Sequence, residues 1–225
     1  MTFSLLARDD DGAFGAVIAS SSPAVSARCL WLRDQVGAVA TQNITDPRLG
    51  KKGLDLLAAG FGADDAVSQL EARDPCAPFR QVLAVDAQGR TALRSGSQSL
   101  GTVSSAQDDG VVAAGNLLAS TQVPAAMVAA FKRGRGRFEE RLLGALGAGV
   151  AAGAEAGPIH SAGLAVVTNV GWRVTDLRVD WHDDPVGELA NLLTVWLPQR
   201  EDYITRALDP RRSPGYGVPG DDRRY

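Results

Sequence analysis

The chain opens with Met1-Thr2-Phe3-Ser4-Leu5-Leu6-Ala7-Arg8 and continues, after three aspartates and Gly12, into the apolar segment from Ala13 to Ser20. Both segments mix small and large apolar residues, and residues typical of turns bound them. This pattern predicts a β-hairpin whose first strand begins directly after the initiator methionine. The rest of the fold is expected to build on this hairpin.

Thr2 is the residue of the hairpin with the clearest chemical potential. Methionine before a small residue such as threonine is commonly removed during synthesis, which leaves Thr2 with both a hydroxyl and a free α-amine. An α-amine titrates at about 7.7–8.0, so a single residue then supplies a nucleophile and a base. The alternative is that Thr2 only begins a strand and has no chemical role.

Composition limits the class of protein. The chain has 225 residues, of which 45% are apolar and 22% charged, with a net charge of -3. These values are typical of an ordinary globular protein, and the lack of a basic block before the C-terminal segment argues against a nucleic-acid partner. No apolar run is long enough to span a membrane.

The N-terminus and the cysteines predict a cytoplasmic protein. Arg8 and three aspartates interrupt what would be the apolar core of a signal peptide. Cys29 and Cys76 do not have a metal-ligand spacing, so both thiols are expected to be reduced. We expect no metal and no cofactor.

Local patterns predict two antiparallel sheets flanked by helices. Further strands are predicted over residues 24–32, 36–41, 79–85, 90–94, 111–115, 161–168 and 172–179. Helices are predicted over residues 46–59, 63–73, 121–131 and 138–152, and from Asp184-Pro185 to Trp196. Residues 96–110 are predicted to be a loop. We expect one domain over residues 1–198 and a charged tail over 199–225.

Several ordered motifs carry a family resemblance. They are Thr2-Phe3-Ser4, Val36-Gly37-Ala38-Val39-Ala40-Thr41-Gln42, Asp46-Pro47 followed by Gly50 and Gly53-Leu54, Arg80-Gln81-Val82, Gly115-Asn116-Leu117-Leu118, Asp176-Leu177-Arg178-Val179-Asp180, His182-Asp183-Asp184-Pro185 and Tyr216-Gly217-Val218-Pro219-Gly220-Asp221. Together they make the chain resemble the uncharacterised family called domain of unknown function 1028. That family is placed in the N-terminal nucleophile (Ntn) hydrolase superfamily. The resemblance implies a four-layer αββα sandwich, of the α+β class, and a candidate N-terminal nucleophile, but no substrate.

Under this resemblance, three residues are the catalytic candidates: Thr2, Arg28 and Asn116. Thr2 would attack an amide carbonyl, and its own amine would take the proton. Arg28, expected on a strand like the basic residue of the superfamily, would keep that amine neutral. Asn116 would meet the oxyanion. The alternatives are a surface arginine and a turn asparagine.

Five further residues are candidate substrate contacts. Ser20, Ser21 and Ser22 end the second strand beside Thr2, Gln42 closes another strand, and Gly115 precedes Asn116. Serines are also common in turns, so a purely structural role stays open for them, as it does for the others.

Asp180, His182, Asp183 and Asp184 form the densest cluster of acidic and histidine side chains. Read functionally, it would bind a metal or hold a general base. We favour a structural role, because Asp184-Pro185 is typical of a helix cap. A structural role is also expected for His160.

The sequence therefore predicts an amidohydrolase that acts on a small amide substrate through Thr2. The alternative is a non-catalytic protein of the same fold that binds a small molecule or serves in assembly. A homodimer is expected from the tail, which is too polar for a core but carries prolines, Tyr203 and Tyr216.

Overall fold

The computed structural model of the chain describes residues 2–219 and 221. Met1, and with it the predicted removal of that residue, lies outside the described residues. The end of the predicted tail, Gly220 and residues 222–225, lies outside them too.

The described part of the chain contains ten strands and seven α-helices. The strands are β1 (Thr2–Arg8), β2 (Phe14–Ser20), β3 (Leu30–Arg33), β4 (Gly37–Asn43), β5 (Arg80–Asp86), β6 (Thr91–Ser95), β7 (Ser104–Asp108), β8 (Val111–Asn116), β9 (Ser161–Val167) and β10 (Arg173–Val179). The helices are α1 (Val25–Cys29), α2 (Pro47–Ala58), α3 (Ala63–Arg73), α4 (Val123–Arg133), α5 (Phe138–Ala151), α6 (Pro185–Trp196) and α7 (Arg200–Leu208).

The strands form two antiparallel sheets, which places the chain in the α+β class. The six-stranded sheet has the order β10-β9-β2-β1-β8-β7, and the four-stranded sheet has the order β3-β4-β5-β6. The predicted hairpin is confirmed: β1 pairs with β2 from Phe3 opposite Ala19 to Arg8 opposite Phe14. On its other side β1 pairs with β8, with Thr2 opposite Asn116.

Three apolar clusters hold the sheets and helices together. Because side chains alternate between the two faces of a strand, Phe3 and Leu5 pack with helices α4, α5 and α6, whereas Leu6 faces the four-stranded sheet. The cluster between the two sheets includes Ile18 of β2 and Leu83 of β5. The third cluster joins the other face of the four-stranded sheet to α2 and α3.

The prediction of a strand over residues 24–32 is wrong in its first half. The chain forms the short helix α1 there and becomes extended only in β3. Val25 and Cys29 are buried four residues apart, which is a helical spacing. Ala24 has a left-handed backbone, with φ of 52°, and its N–H donates to the carbonyl oxygen of Asp180, so the chain turns before the helix.

The predicted loop over residues 96–110 contains the strand β7. This strand pairs with β8 along its whole length and forms one edge of the six-stranded sheet. Its sequence, Ser-Ser-Ala-Gln-Asp, is mostly polar, and none of its residues is fully buried. An exposed edge strand lacks the apolar alternation that a sequence pattern needs, and polar side chains at an edge limit pairing with other chains.

The segment predicted to be a charged tail contains helix α7. Its first residue, Arg200, donates through Nη1 to Oε1 of Glu139, which is fully buried on α5. The same carboxylate oxygen accepts from the hydroxyl of Thr175 on β10. An ion pair with a buried carboxylate therefore anchors the start of α7 to the body of the protein.

Candidate active site

Polar side chains collect at one end of the space between the two sheets. They lie on the same strand faces as the residues of the inter-sheet cluster, and we call them the polar end. They are Thr2 and Ser4 of β1, Ser20 of β2, Gln42 of β4, Gln81 of β5, Ser95 of β6, Asn116 of β8 and Ser161 of β9. All but Ser95 are buried. Burying so many polar groups is tolerated only when they hydrogen-bond to one another.

Thr2 begins β1 at this end, and only 4% of it is exposed. Its Oγ1 lies 3.4 Å from Oγ of Ser20, and either hydroxyl can donate. Ser20 Oγ in turn accepts from the backbone N–H of Ser22 at 3.0 Å and donates to Ser22 Oγ at 3.2 Å. The last residue of β2 therefore places its hydroxyl beside Thr2, and the turn that follows holds that hydroxyl through Ser22.

A chain of amide side chains crosses the polar end from one sheet to the other. Ser4 Oγ donates to Oε1 of Gln42 at 2.7 Å, and Gln42 Nε2 donates to Oε1 of Gln81 at 2.7 Å. Gln42 Nε2 also donates to the carbonyl oxygen of Ala114 at 3.2 Å. A backbone carbonyl can only accept, so this contact fixes which end of the Gln42 amide is nitrogen.

The same reasoning fixes the amide of Gln81. Its Nε2 donates to the carbonyl oxygen of Gly115 at 3.2 Å and to Ser95 Oγ at 2.9 Å. Gln81 Oε1 is therefore an acceptor, and it receives a second hydrogen bond from Nδ2 of Asn116 at 3.1 Å. The orientation of Asn116 follows from this bond.

Asn116 thus offers the site both a donor and an acceptor. One N–H of its amide is taken by Gln81. Within the described part of the chain the other N–H has no acceptor, so it is available to a ligand such as an oxyanion. Its Oδ1 is buried and accepts no hydrogen bond from the described residues. Such an atom is unusual in a folded protein and points to a donor that binds there.

Gln42 and Gly115 hold the network in place. Gln42 is fully buried, and both ends of its amide bind protein atoms. Gly115 of β8 is the register partner of Phe3 of β1. A Cβ added at Gly115 would lie 2.6 Å from Cδ2 of Leu118, so a side chain there would require Leu118 to move. Whether either residue contacts a substrate stays a prediction.

Arg28 is not on a strand, so that part of the prediction is wrong. It lies on α1, and its Nη2 donates to the carbonyl oxygen of Pro23 at 2.8 Å. The guanidinium therefore supports the turn that follows Ser20 and Ser22. An influence of Arg28 on the Thr2 amine stays a prediction.

Glu155 is a residue of this region that the sequence analysis missed. It is 4% exposed, and the backbone N–H of Ser21 donates to both of its carboxylate oxygens at 3.2 Å. Burial raises the pKa of Glu155 to about 7, although the Ser21 hydrogen bonds oppose this shift. The signal in the sequence is a lone acid within the run of alanines and glycines from 151 to 157.

The raised pKa of Glu155 predicts a pH-dependent stability in the chain that begins with Met1. The folded state keeps a proton that the unfolded state releases between pH 4.5 and about 7, so the stability from this group falls as the pH rises through that window. Residue 155 does not titrate in Glu155→Gln. The unfolding free energy of wild type should therefore fall by about 2 kcal/mol, relative to that of Glu155→Gln, between roughly pH 5 and pH 8. Urea denaturation measures this, and an identical pH dependence in both proteins would refute it.

The acidic cluster near residue 182 has structural contacts. Asp184 caps α6 by accepting from the backbone N–H of Gly187 at 3.0 Å, as predicted. His160 stacks on Trp181 with 4.3 Å between the ring centroids, and the backbone N–H of His160 donates to the carbonyl oxygen of Ser20. In the part of the chain that the structure describes, no group of three or more His, Cys, Asp or Glu residues is arranged to hold a metal ion.

None of the described helices combines the length and the apolar character needed to cross a bilayer. A cavity of about 760 Å³ lies at the far end of β1 from Thr2, where Arg8 and Glu139 are among its lining residues.

The fold and the site together define the class of protein. It is an α+β protein whose first strand begins in a buried cluster of hydroxyl, amide and carboxylate groups. The chain belongs to the family of unknown function DUF1028, whose profile matches residues 2–189. No curated protein matches it.

Solved structures extend the comparison. The crystal structure of protein SPO2555 from Silicibacter pomeroyi, described as a DUF1028 protein, is 32% identical, with a TM-score of 0.80 over 86% of this chain and 88% of that one. Anbu (ancestral beta-subunit) from Yersinia bercovieri is 10% identical, with a TM-score of 0.37 over 87% of this chain and 97% of that one. The second similarity is too low to carry an argument.

Proposed function

We propose that this protein is an amide hydrolase whose nucleophile is Thr2 after removal of Met1. The observation that carries the proposal is the position of Thr2 at the start of β1, with its hydroxyl 3.4 Å from Ser20 Oγ. Its register partner is Asn116, whose buried Oδ1 accepts no hydrogen bond from the described residues. Loss of Met1 would place an α-amine in the same cluster.

The chemistry needs only groups of this cluster. Oγ1 of Thr2 attacks the amide carbon, and its proton moves to the neutral α-amine. The second N–H of Asn116 can stabilise the oxyanion. The ammonium then protonates the leaving nitrogen as the C–N bond breaks, which leaves an ester on Thr2. Water, deprotonated by the same amine, hydrolyses this ester and restores the hydroxyl.

We also propose that the two sheets and their flanking helices form the αββα sandwich of Ntn hydrolases. The apolar cluster between the sheets and the two clusters on their outer faces support this arrangement. In such a sandwich the polar end would be the catalytic end of the inter-sheet space.

The proposed substrate is a small linear or cyclic amide. Thr2 is 4% exposed, and Gln42, Gln81 and Asn116 are fully buried, so a large substrate would not reach the hydroxyl in this conformation. The test is a screen of chain that begins at Thr2 against a panel of small amides, with release of the amine as the readout. Absence of hydrolysis across the panel would count against the proposal.

A second candidate function rests on the same burial. A protein of this fold that binds a small molecule or serves in assembly needs no accessible nucleophile, and the low exposure of Thr2 favours it. Binding of amides without turnover would support this alternative.

We further propose a cytoplasmic homodimer formed through the C-terminal region. Tyr203 stacks on Trp196 within the chain, whereas Val195 and Leu208 are 64% and 62% exposed. These exposed apolar side chains suit a partner surface. Light scattering at micromolar concentration should give a dimer, and a monomer would contradict the proposal.

A further inference from the structure

The position of Glu155 relative to the sheet is the starting point of the inference. Its carboxylate accepts from Ser21, the first residue after β2, and its backbone forms a bridge with Leu118, two residues after β8. Strand β1 lies between β2 and β8. Glu155 therefore lies beside the end of β1 that begins with Thr2.

The register confines this position further. Phe3 lies opposite Ala19, and Thr2 lies opposite Asn116. The residues that follow the two partner strands are the ones that bind Glu155. The carboxylate is thus held where a chain that starts at Thr2 would present its α-amine.

The other charged and titratable groups near the start of β1 contact residues other than Glu155. Arg28 donates to Pro23 O, and His160 lies against Trp181, with Asp183 Oδ1 3.9 Å from its Nδ1. Burial raises the pKa of the Cys29 thiol to about 11, so this group is neutral. Among the described side chains, none of the ion pairs includes Glu155.

We propose that Glu155 is a positioning residue that pairs with the α-ammonium of Thr2 once Met1 is removed. A buried carboxylate without a cationic side chain is costly, and an ammonium at the end of β1 supplies the missing charge. The pair would hold the amine beside Thr2 Oγ1. The inference rests on the proposed function for its use in catalysis, but the pair itself can be measured without a substrate.

In the reaction Glu155 takes no part in bond formation. The amine loses its proton to solvent before attack, takes the Oγ1 proton during attack and returns it to the leaving nitrogen. The carboxylate stabilises the ammonium form and so raises the pKa of the amine. Catalysis through the free amine should therefore rise with pH through that raised pKa.

The experiment measures the α-amine itself. A cleavable leader is used to produce chain that begins at Thr2, and the amine is titrated by NMR in wild type, Glu155→Gln and the control Glu71→Gln. Glu71 is an exposed carboxylate on α3, the helix that packs against the other sheet. Glu155→Gln should lower the amine pKa by about one unit or more, because an opposite charge within hydrogen-bonding range shifts a pKa by about 1–3 units. The control should leave the amine pKa unchanged.

An amine pKa that is the same in wild type and Glu155→Gln would overturn the proposal. If Glu155→Gln fails to fold, Glu155→Asp provides the second test. It keeps the charge on a side chain shorter by one methylene, so the amine pKa should fall between the ordinary value and that of wild type. An amine pKa at the ordinary value in wild type would also overturn the pair. If the amide screen fails but the amine pKa still differs between wild type and Glu155→Gln, the proposed hydrolase function is refuted and the pair of Glu155 with the amine stands.

Discussion

Thr2→Ala in chain that begins at residue 2 is expected to lose about 10³-fold or more of the rate of amide hydrolysis, because removal of a nucleophile leaves only binding and oxyanion stabilisation. Thr2→Ser keeps both the hydroxyl and the amine, so it should retain measurable turnover. Chain that retains Met1 should be inactive, since acylation of the Thr2 amine removes the base. Single-turnover and steady-state assays on the best amide of the panel measure these rates.

A matched control separates loss of chemistry from loss of structure. Thr41 is a fully buried threonine on β4. Its neighbours Ala40 and Gln42 lie on the strand face that looks toward the other sheet, so Thr41 lies on the opposite face, toward the helices. Thr41→Ala should therefore change stability but leave the chemical step largely intact. Equal turnover by Thr2→Ala and wild type would show that Thr2 is not the nucleophile, and the Asp180–Asp184 segment with His182 would become the next candidate.

Gln81→Met is expected to lower the unfolding free energy by about 2–4 kcal/mol, because it leaves buried N–H donors without their acceptor. Gln81 Oε1 accepts from both Gln42 and Asn116, and its Nε2 binds the carbonyl of Gly115. Methionine has a similar volume, so the loss should come from hydrogen bonds rather than from a cavity. Urea denaturation measures the change.

The control for Gln81→Met is the same substitution at an exposed position. Gln107 lies on the edge strand β7 and is exposed. Gln107→Met should change the unfolding free energy by no more than about 0.5 kcal/mol. Similar effects at both positions would mean that the amide chain between the sheets contributes little to stability.

Local signals in the sequence were enough to predict the main elements. Asp46 accepts from the backbone N–H of Arg48 and caps α2, and the predicted bounds of α3 match the structure. The early hairpin was predicted from its apolar segments and turn residues. Caps, turns and apolar periodicity act over a few residues, so a sequence reveals them directly.

Elements without such signals were missed. Helix α1 has five residues, too few to show a period, and edge strand β7 exposes polar side chains. Helix α7 has no buried residue and is held by Arg200 and its ion pair to Glu139. Each of these elements depends on contacts with parts of the chain that are distant in sequence.

The candidate site divides in the same way. Thr2 is a candidate from its place after the initiator methionine and Asn116 from the family resemblance, and the sheet register brings the two together. The contribution of Gln81 depends on the meeting of the two sheets, and that of Glu155 on a contact with Ser21, 134 residues earlier in the chain. No local pattern predicts such contacts, because they arise from topology.

The most direct test of the central claim is the intact mass of the protein purified from its own host, combined with sequencing of its N-terminus. The account predicts a chain that begins at Thr2, lighter by one methionine residue than the encoded sequence and carrying a free amine. A protein that uniformly keeps Met1 would contradict it, because the base of the proposed reaction would then not exist.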